Sequence, residues 1–373
     1  MTIPLVRSAA FRACRRWQWP RWRDYSSASH RQTTQSNKVK IVEVGPRDGL
    51  QNEKNTISMD TRIELINRLA GAGIQTIEAG AFVSPKWVPQ MANSDEVLSR
   101  LLHQDRSRTP VPLTYSFLAP NTRGLETAAG VLKENLGAYQ TQLEPSRGPE
   151  GETKPAIEVA VFAAATESFS RKNLNCDIQT SLEGFKAVIQ DAKALGLRVR
   201  AYISVVLGCP FEGFDVDPHK VAEIATELLE SGADEISLGD TTGLGTAPRT
   251  SALLKCMSAA GIRNEDVAMH FHDTFGQALV NTAVSLEHGI RTFDCSVGGL
   301  GGCPYSPGAT GNLATENMVY FMETLGMDTG IDLDAVVDVG AWITNELGKP
   351  YDSIVGKAVM GARMRAEREA PGA

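Results

Sequence analysis

The sequence predicts an α/β protein, a (β/α)8 barrel of the TIM type with an extra helical segment after the barrel closes. Three observations carry that prediction. From residue 38 onward, short β-branched runs alternate with longer amphipathic stretches, eight times over. No G-x-G-x-x-G follows the first run, which speaks against an open dinucleotide-binding sheet, the architectural alternative. Polar residues collect at the C-terminal ends of the runs, the rim where such barrels carry their chemistry.

In chain order, the strand candidates are 39–44, 76–79, 113–118, 157–162, 198–206, 235–238, 267–272 and 292–297. The helical patterns between them lie near 60–72, 94–102, 122–134, 181–195, 218–231, 248–260 and 276–289, with another at 312–325. Several end in the glycine that a left-handed cap prefers, as in Ala70-Gly71-Ala72-Gly73 and Glu230-Ser231-Gly232. Residues 138–155 are polar and rich in Pro and Gly, the composition of a surface loop inserted between the third and fourth strands. Residues 332–348 read as one more helix, followed by a polar tail. The expected organisation is therefore a catalytic barrel over 38–328 and a C-terminal helix and tail over 329–373.

Residues 1–37 stand apart. The first 40 residues hold nine Lys or Arg and one acid, Asp24, with hydroxyls from Ser26, Ser27, Ser29 and Ser36. An Arg- and Ser-rich, acid-poor segment has the composition of a mitochondrial transit peptide, a solvated basic tail being the plainer alternative. It lacks the apolar stretch of a secretory signal, and a plausible processing point lies near Arg23-Asp24-Tyr25-Ser26. The expected location is the mitochondrial matrix. The whole chain carries a net charge of −7, which argues against bulk-charge attraction to nucleic acid or an anionic membrane surface. No run of about 18 apolar residues suggests a membrane span. The six cysteines (14, 176, 209, 256, 295 and 303) form no C-x-x-C pair, so neither a zinc ribbon nor a disulfide scaffold is indicated.

The chemistry gathers at the strand ends. The first strand runs into Gly45-Pro46-Arg47-Asp48-Gly49 and the second carries Glu78. The sixth ends in Gly239-Asp240-Thr241 and the seventh in His270-Phe271-His272-Asp273. The eighth runs into Gly298-Gly299-Leu300-Gly301-Gly302-Cys303-Pro304, with Asn312 and Glu316 beyond. Polar groups converging on one rim are costly to leave unpaired, so they imply a site. His270 and His272, at i and i+2 on a strand, point to the same side and can face one ion, although core hydrogen bonds can also satisfy two histidines. Asp48 and Asn312 add oxygen donors, and the mixed set suits octahedral Mg2+ or Mn2+. With no cysteine beside the pair, a closed structural zinc site is disfavoured. Arg47 is either a structural ion pair or a fixed cation for a developing oxyanion or enolate. Cys303, in a glycine-rich loop, is either a thiol that reaches a substrate or a buried inert cysteine.

Several of these segments match a known family. Val42-Glu43-Val44-Gly45-Pro46-Arg47-Asp48-Gly49-Leu50-Gln51-Asn52-Glu53 resembles the opening strand of the 3-hydroxy-3-methylglutaryl-CoA lyases. The resemblance continues through Phe82-Val83-Ser84-Pro85-Lys86-Trp87-Val88-Pro89-Gln90-Met91, Leu207-Gly208-Cys209-Pro210, Ile236-Ser237-Leu238-Gly239-Asp240-Thr241 and residues 299–316, covering the whole barrel. The Arg-Asp pair and the H-x-H are shared by a wider superfamily, whereas the Gly-Leu-Gly-Gly-Cys-Pro-Tyr loop is specific to the lyases.

The resemblance implies metal-dependent cleavage of an acyl-CoA, 3-hydroxy-3-methylglutaryl-CoA, to acetoacetate and acetyl-CoA. It implies that Asp48, His270, His272 and Asn312 hold the divalent cation and that Asp240, with His270, relays the hydroxyl proton. Arg47 would stabilise the enolate, with Gln51 also contacting substrate, and Cys303 would protonate the enolate carbon. Glu78 and Glu316 would orient the ligands and Arg47. A homodimer is the expected assembly. This chain departs from the family pattern at Ala81, where a hydroxyl residue often precedes Phe-Val-Ser-Pro, and at Phe271, where a cysteine often stands between the histidines. Three other readings remain open: a Claisen-condensing enzyme of the 2-isopropylmalate or homocitrate synthase kind, a lyase for a longer 3-hydroxy-3-alkylglutaryl-CoA, and a catalytically silent barrel.

Overall fold

All eight predicted runs form strands: β1 (Lys40–Glu43), β2 (Thr76–Ala81), β3 (Thr114–Leu118), β4 (Ala156–Ala164), β5 (Arg198–Ser204), β6 (Glu235–Asp240), β7 (Val267–Phe271) and β8 (Thr292–Cys295). The structure, a computed structural model, describes residues 37–51, 53–104, 112–135, 156–302 and 311–369. Residues 1–36 of the proposed transit segment, the 138–155 insertion and Cys303 lie outside the described residues. Each strand pairs in parallel with the next, and β8 returns to β1 to close the ring. Strands buried along their whole length, such as β2 and β6, fit a parallel sheet covered outside by helices and filled inside by side chains.

The outer layer is α1 (Met59–Gly71), α2 (Ser94–His103), α3 (Thr122–Glu134), α4 (Glu167–Leu174), α5 (Ile178–Ala194), α6 (Pro218–Glu230), α7 (Ala247–Ala259), α8 (Ala278–Glu287) and α9 (Thr315–Thr324). Their starts follow from local chemistry. Ser58, Asn121, Asp177 and Asp217 each accept a backbone N–H of the first turn, satisfying one of the amides that a helix start leaves free. In α1 the apolar stripe of Ile63, Leu65, Ile66 and Leu69 then faces the barrel. The short α4 escapes sequence reading because it buries only Phe169 and Ser170, too little for a periodic signal.

Two helices follow the barrel, α10 (Leu333–Glu346) and α11 (Ile354–Glu369), where the sequence predicts one helix and a polar tail. The difference has a plain cause. α11 fully buries only Gly356 and packs Val355, Val359 and Met360 only in part against the core, so its apolar face is short and weak. Ser353 Oγ, just before it, and Val355 N, in its first turn, both donate to Asn317 Oδ1 of α9, at 2.9 and 3.0 Å, and tie the helix start to the barrel.

Candidate active site

The site is assembled at the C-terminal ends of the strands. After β1 the chain makes one π-helical turn over Gly45–Gly49, which swings Arg47 and Asp48 over the barrel mouth. After β8 a tight turn spans Val297–Gly299, with Gly298 in the left-handed region at φ 68°. Beyond it the chain returns across the rim, where Asn312 bridges to His272 and Ala314 to Ser296. His272, one residue past β7, is therefore held by the segment that carries Asn312.

Asp48, His270 and His272 each offer a ligand atom, and these atoms all lie within 4.8 Å of one another. The two Nε2 atoms stand 3.1 Å apart, close to the separation of about 3 Å that two adjacent octahedral ligands take at about 2.1 Å from an ion. Asn312 Nδ2 donates to Asp48 Oδ2 at 2.8 Å and to Leu300 O at 3.1 Å. Two acceptors fix the amide nitrogen there, and among the described residues the buried Oδ1 has no hydrogen-bond partner. Two imidazoles and a carboxylate converging on one point, with the Asn312 amide beside the carboxylate, fit a hard or borderline divalent cation.

The charges around these donors are arranged for binding. Burial, reinforced by His270, pushes His272 down to about 4, so its imidazole is neutral near pH 7. His270 Nδ1 lies 3.2 Å from Asp294 Oδ2, which turns Nε2 outward. The same Asp294 oxygen accepts from Ser237 Oγ at 2.9 Å, and its other oxygen pairs with Arg200 at 2.5 Å. Strand register makes this possible, since His270 on β7 sits opposite Asp294 on β8. On β5, alternation places Arg200 and Tyr202 on one face, and both are fully or nearly fully buried.

Arg47, 7% exposed, contacts Asp48 at 2.9 Å and Glu78 at 2.7 Å. Its Nη1 also lies 3.5 Å from Gln51 Oε1, and Gln51 Nε2 donates to Asp48 Oδ1 at 2.8 Å. Tyr202 donates to Glu78 Oε2 at 3.3 Å and lies under the Arg47 guanidinium at 5.7 Å. Asp240 accepts from Gly245 N at 3.0 Å, while its buried Oδ1 has no hydrogen-bond partner among the described residues. Burial pushes this carboxyl up to about 7 against the pull of that backbone bond and of His270. A carboxyl poised there exchanges a proton near neutral pH. Next to it, Thr241 Oγ1 accepts from the amide of Val205, a β-branched residue at φ 58°. Strain of about 1–3 kcal/mol at such a backbone is typical of a functional rim.

The structure thus gathers Arg47, Asp48, Gln51, Glu78, His270, His272 and Asn312, with Asp240 on the adjoining strand. Glu316 is placed differently from the sequence expectation. It reaches neither a ligand nor Arg47; its oxygens accept Gly298 N at 2.9 and 3.0 Å and the Tyr351 hydroxyl at 2.8 Å. The residues that sequence reasoning missed are Asp294, Arg200, Tyr202, Ser237 and Tyr351. The alternation Arg198-Val199-Arg200-Ala201-Tyr202 and the lone acid of Thr292-Phe293-Asp294-Cys295 were the available signals.

Comparison with known proteins agrees with this arrangement. The HMGL-like family model matches residues 38–343. The 3-hydroxy-3-isohexenylglutaryl-CoA/hydroxymethylglutaryl-CoA lyase of Pseudomonas aeruginosa is 49% identical over 323 residues, 87% of this chain and 97% of that relative. The hydroxymethylglutaryl-CoA lyase of Pseudomonas mevalonii is 47% identical over 88% of this chain and 98% of its own length. The mitochondrial hydroxymethylglutaryl-CoA lyase of Macaca fascicularis is 44% identical over 87% and 90%. Among solved structures, hydroxymethylglutaryl-CoA lyase from P. aeruginosa superposes with a TM-score of 0.77 at 47% identity, covering 88% of this chain and 100% of that one. An HMG-CoA lyase from Acinetobacter baumannii in complex with coenzyme A and 3-methylmalate gives a TM-score of 0.74 at 30% identity, covering 88% and 97%. With this barrel, this rim and a match over most of its length, the chain belongs to the HMGL-like family.

Proposed function

We propose that the protein is a hydroxymethylglutaryl-CoA lyase, cleaving 3-hydroxy-3-methylglutaryl-CoA to acetoacetate and acetyl-CoA with a divalent cation, Mg2+ or Mn2+. The observation that carries this reading is the convergence of Asp48, His270 and His272 on one point beside the buried Arg47. Asp48, His270, His272 and the Asn312 amide oxygen would hold the cation, which when bound supplies a Lewis acid that orients and acidifies a coordinated hydroxyl. Asp240, with His270 nearby, takes the proton of the substrate's tertiary hydroxyl. The O–H electron pair becomes the new carbonyl of acetoacetate, and the adjoining carbon–carbon bond breaks. Its electrons move into the thioester as an enolate, whose oxygen Arg47 stabilises from a site where Glu78 and Asp48 hold the guanidinium in place. Gln51 contacts the substrate beside Arg47. Cys303, on the strength of its family loop, delivers a proton to the enolate carbon and completes acetyl-CoA.

A CoA-bearing substrate is supported by the names of the relatives and by the coenzyme A complex of the A. baumannii protein. The relatives named above share the hydroxymethylglutaryl name, so the condensing reading and a silent barrel are not favoured. The P. aeruginosa relative is named for a longer 3-hydroxy-3-isohexenylglutaryl thioester as well, and that longer chain is not favoured over the substrate that all three names share. The matrix is the proposed location, supported by the composition of residues 1–37 and by the mitochondrial relatives of animals and plants. A homodimer is the proposed assembly, to be checked by light scattering. The deciding experiment incubates the folded protein with 3-hydroxy-3-methylglutaryl-CoA and Mg2+ or Mn2+, with and without chelator, and measures acetoacetate. Metal-dependent release is expected. No product from folded, metal-supplemented protein would overturn the assignment.

A further inference from the structure

The matched family region ends at residue 343, yet a side chain beyond it reaches under the active-site rim. Tyr351 lies between α10 and α11, and its hydroxyl donates to Glu316 Oε1 at 2.8 Å. The niche is built for it. A Cβ at Gly340 of α10 would run into both the Glu316 carboxylate and the tyrosine ring, and one at Gly356 of α11 would run into the hydroxyl. Gly356 is therefore closed to a residue with a side chain while the tyrosine is in place, and Gly340 is closed by the tyrosine and the Glu316 carboxylate together.

Glu316 is fully buried, and among the described residues no cation pairs with it. Its two oxygens are spent on Gly298 N and Tyr351 Oη. The preceding amide, Val297 N, donates to another buried carboxyl, Glu43 Oε1, at 2.9 Å. Two successive N–H groups of the turn after β8 are thus each held by a carboxyl, and only Glu316 is held in turn by a group from outside the barrel. From the turn the route is short. Leu300 O accepts from Asn312 Nδ2 at 3.1 Å, and the same Nδ2 donates to Asp48 Oδ2 at 2.8 Å.

We propose that Tyr351 is a positioning residue for the lyase reaction. It acts through Glu316 to fix the Val297–Gly299 turn, and through Leu300 it sets the amide of Asn312 against Asp48. The proposal rests on the assignment of Asn312 as a metal ligand. Tyrosine suits the task, because its ring fills the Gly340 and Gly356 niche while the hydroxyl supplies a directed bond to a carboxylate that has no ion pair among the described residues.

The test uses the full chain and three variants, Tyr351→Phe, Glu316→Gln and Asn312→Ala. Tyr351→Phe keeps the ring and removes the hydroxyl, with its 2.8 Å bond to Glu316 and its longer 3.3 Å contact with Val337 O. It is expected to lower kcat by roughly threefold to tenfold, with KM for the thioester within about twofold, and to weaken Mn2+ binding by calorimetry by a similar factor. If Tyr351 acts through Glu316, the double variant Tyr351→Phe/Glu316→Gln is no worse than Glu316→Gln alone. A purely structural tyrosine would lower the unfolding temperature and leave kcat and Mn2+ affinity of the folded enzyme unchanged, and that result overturns the proposal. So do additive losses in the double variant. Asn312→Ala separates the two assignments. If it weakens Mn2+ binding while Tyr351→Phe does not, the positioning role alone fails; if it leaves Mn2+ binding intact, the ligand role of Asn312 falls, and with it the end of the route.

Discussion

Arg47 illustrates what a single side chain is asked to do. A guanidinium that is 7% exposed is expensive to bury, and two carboxylates at 2.7 and 2.9 Å repay that cost while holding its plane fixed. Replacing it with glutamine, Arg47→Gln, removes the charge proposed to meet the enolate. The expected result is a loss of about 100-fold or more in kcat with Mn2+ binding retained, read by steady-state kinetics and calorimetry. Asp294 gives a second case. Asp294→Asn keeps the shape and loses the acceptor that orients His270 Nδ1 and pairs with Arg200, so Mn2+ affinity is expected to fall about tenfold or more. The two residues were unequally visible beforehand. Arg47, Asp48 and the histidine pair stand at strand ends, where polar residues announce a site. Asp294 sits mid-strand, and its purpose exists only once β7 lies against β8.

At the scale of elements, the turn after β8 shows how burial sets a pH response. Glu43 accepts from Gly45 N and Val297 N at 2.9 Å and from the Thr315 hydroxyl at 2.6 Å, with no cation among the described residues paired with it to offset desolvation. Burial raises it from 4.5 to about 8. The folded protein therefore retains a proton that the unfolded chain releases. The stabilisation is full below about pH 4.5 and is lost as pH rises toward about 8. Glu43→Gln keeps an acceptor for both amides and removes the titration. Its unfolding temperature is expected to exceed that of the wild type by at least about 2 °C at pH 8, with the gap closing toward pH 5, as followed by circular dichroism. The eight strands and the barrel helices were readable because each buries a periodic face. The short α4 and the exposed α11 were not, because their placement is decided by contacts such as Ser353 to Asn317 and not by periodicity.

Across the whole molecule, closure of the ring is what creates the proposed ligand set. Asp48 follows β1, His270 and His272 close β7, and Asn312 follows β8. A cation bound by those residues binds the folded chain and not the unfolded one, so it stabilises in proportion to its concentration. The unfolding temperature is expected to rise with Mn2+ and to fall back with chelator, by about 2.7 kcal/mol of stability at 100 times the dissociation constant. In His272→Ala that rise should shrink or vanish; an undiminished shift would remove His272 from the ligand set.

The hydrogen bond from Asn312 to Asp48 joins residues separated by 264 positions. It lies on the seam between the first and last strands, so the rim can be completed only late in synthesis, once the chain beyond β8 has emerged. A ribosome must have released nearly the whole barrel before the donors can meet, and no shorter nascent chain holds them all. An ion at the seam works as a clasp across that join. Cut the chain between β4 and β5, and one half keeps Arg47, Asp48 and Glu78 while the other keeps Asp240, His270, His272 and Asn312. Each half alone is expected to be inert. Activity that returns on mixing them would rise with the divalent ion added to draw the two edges together.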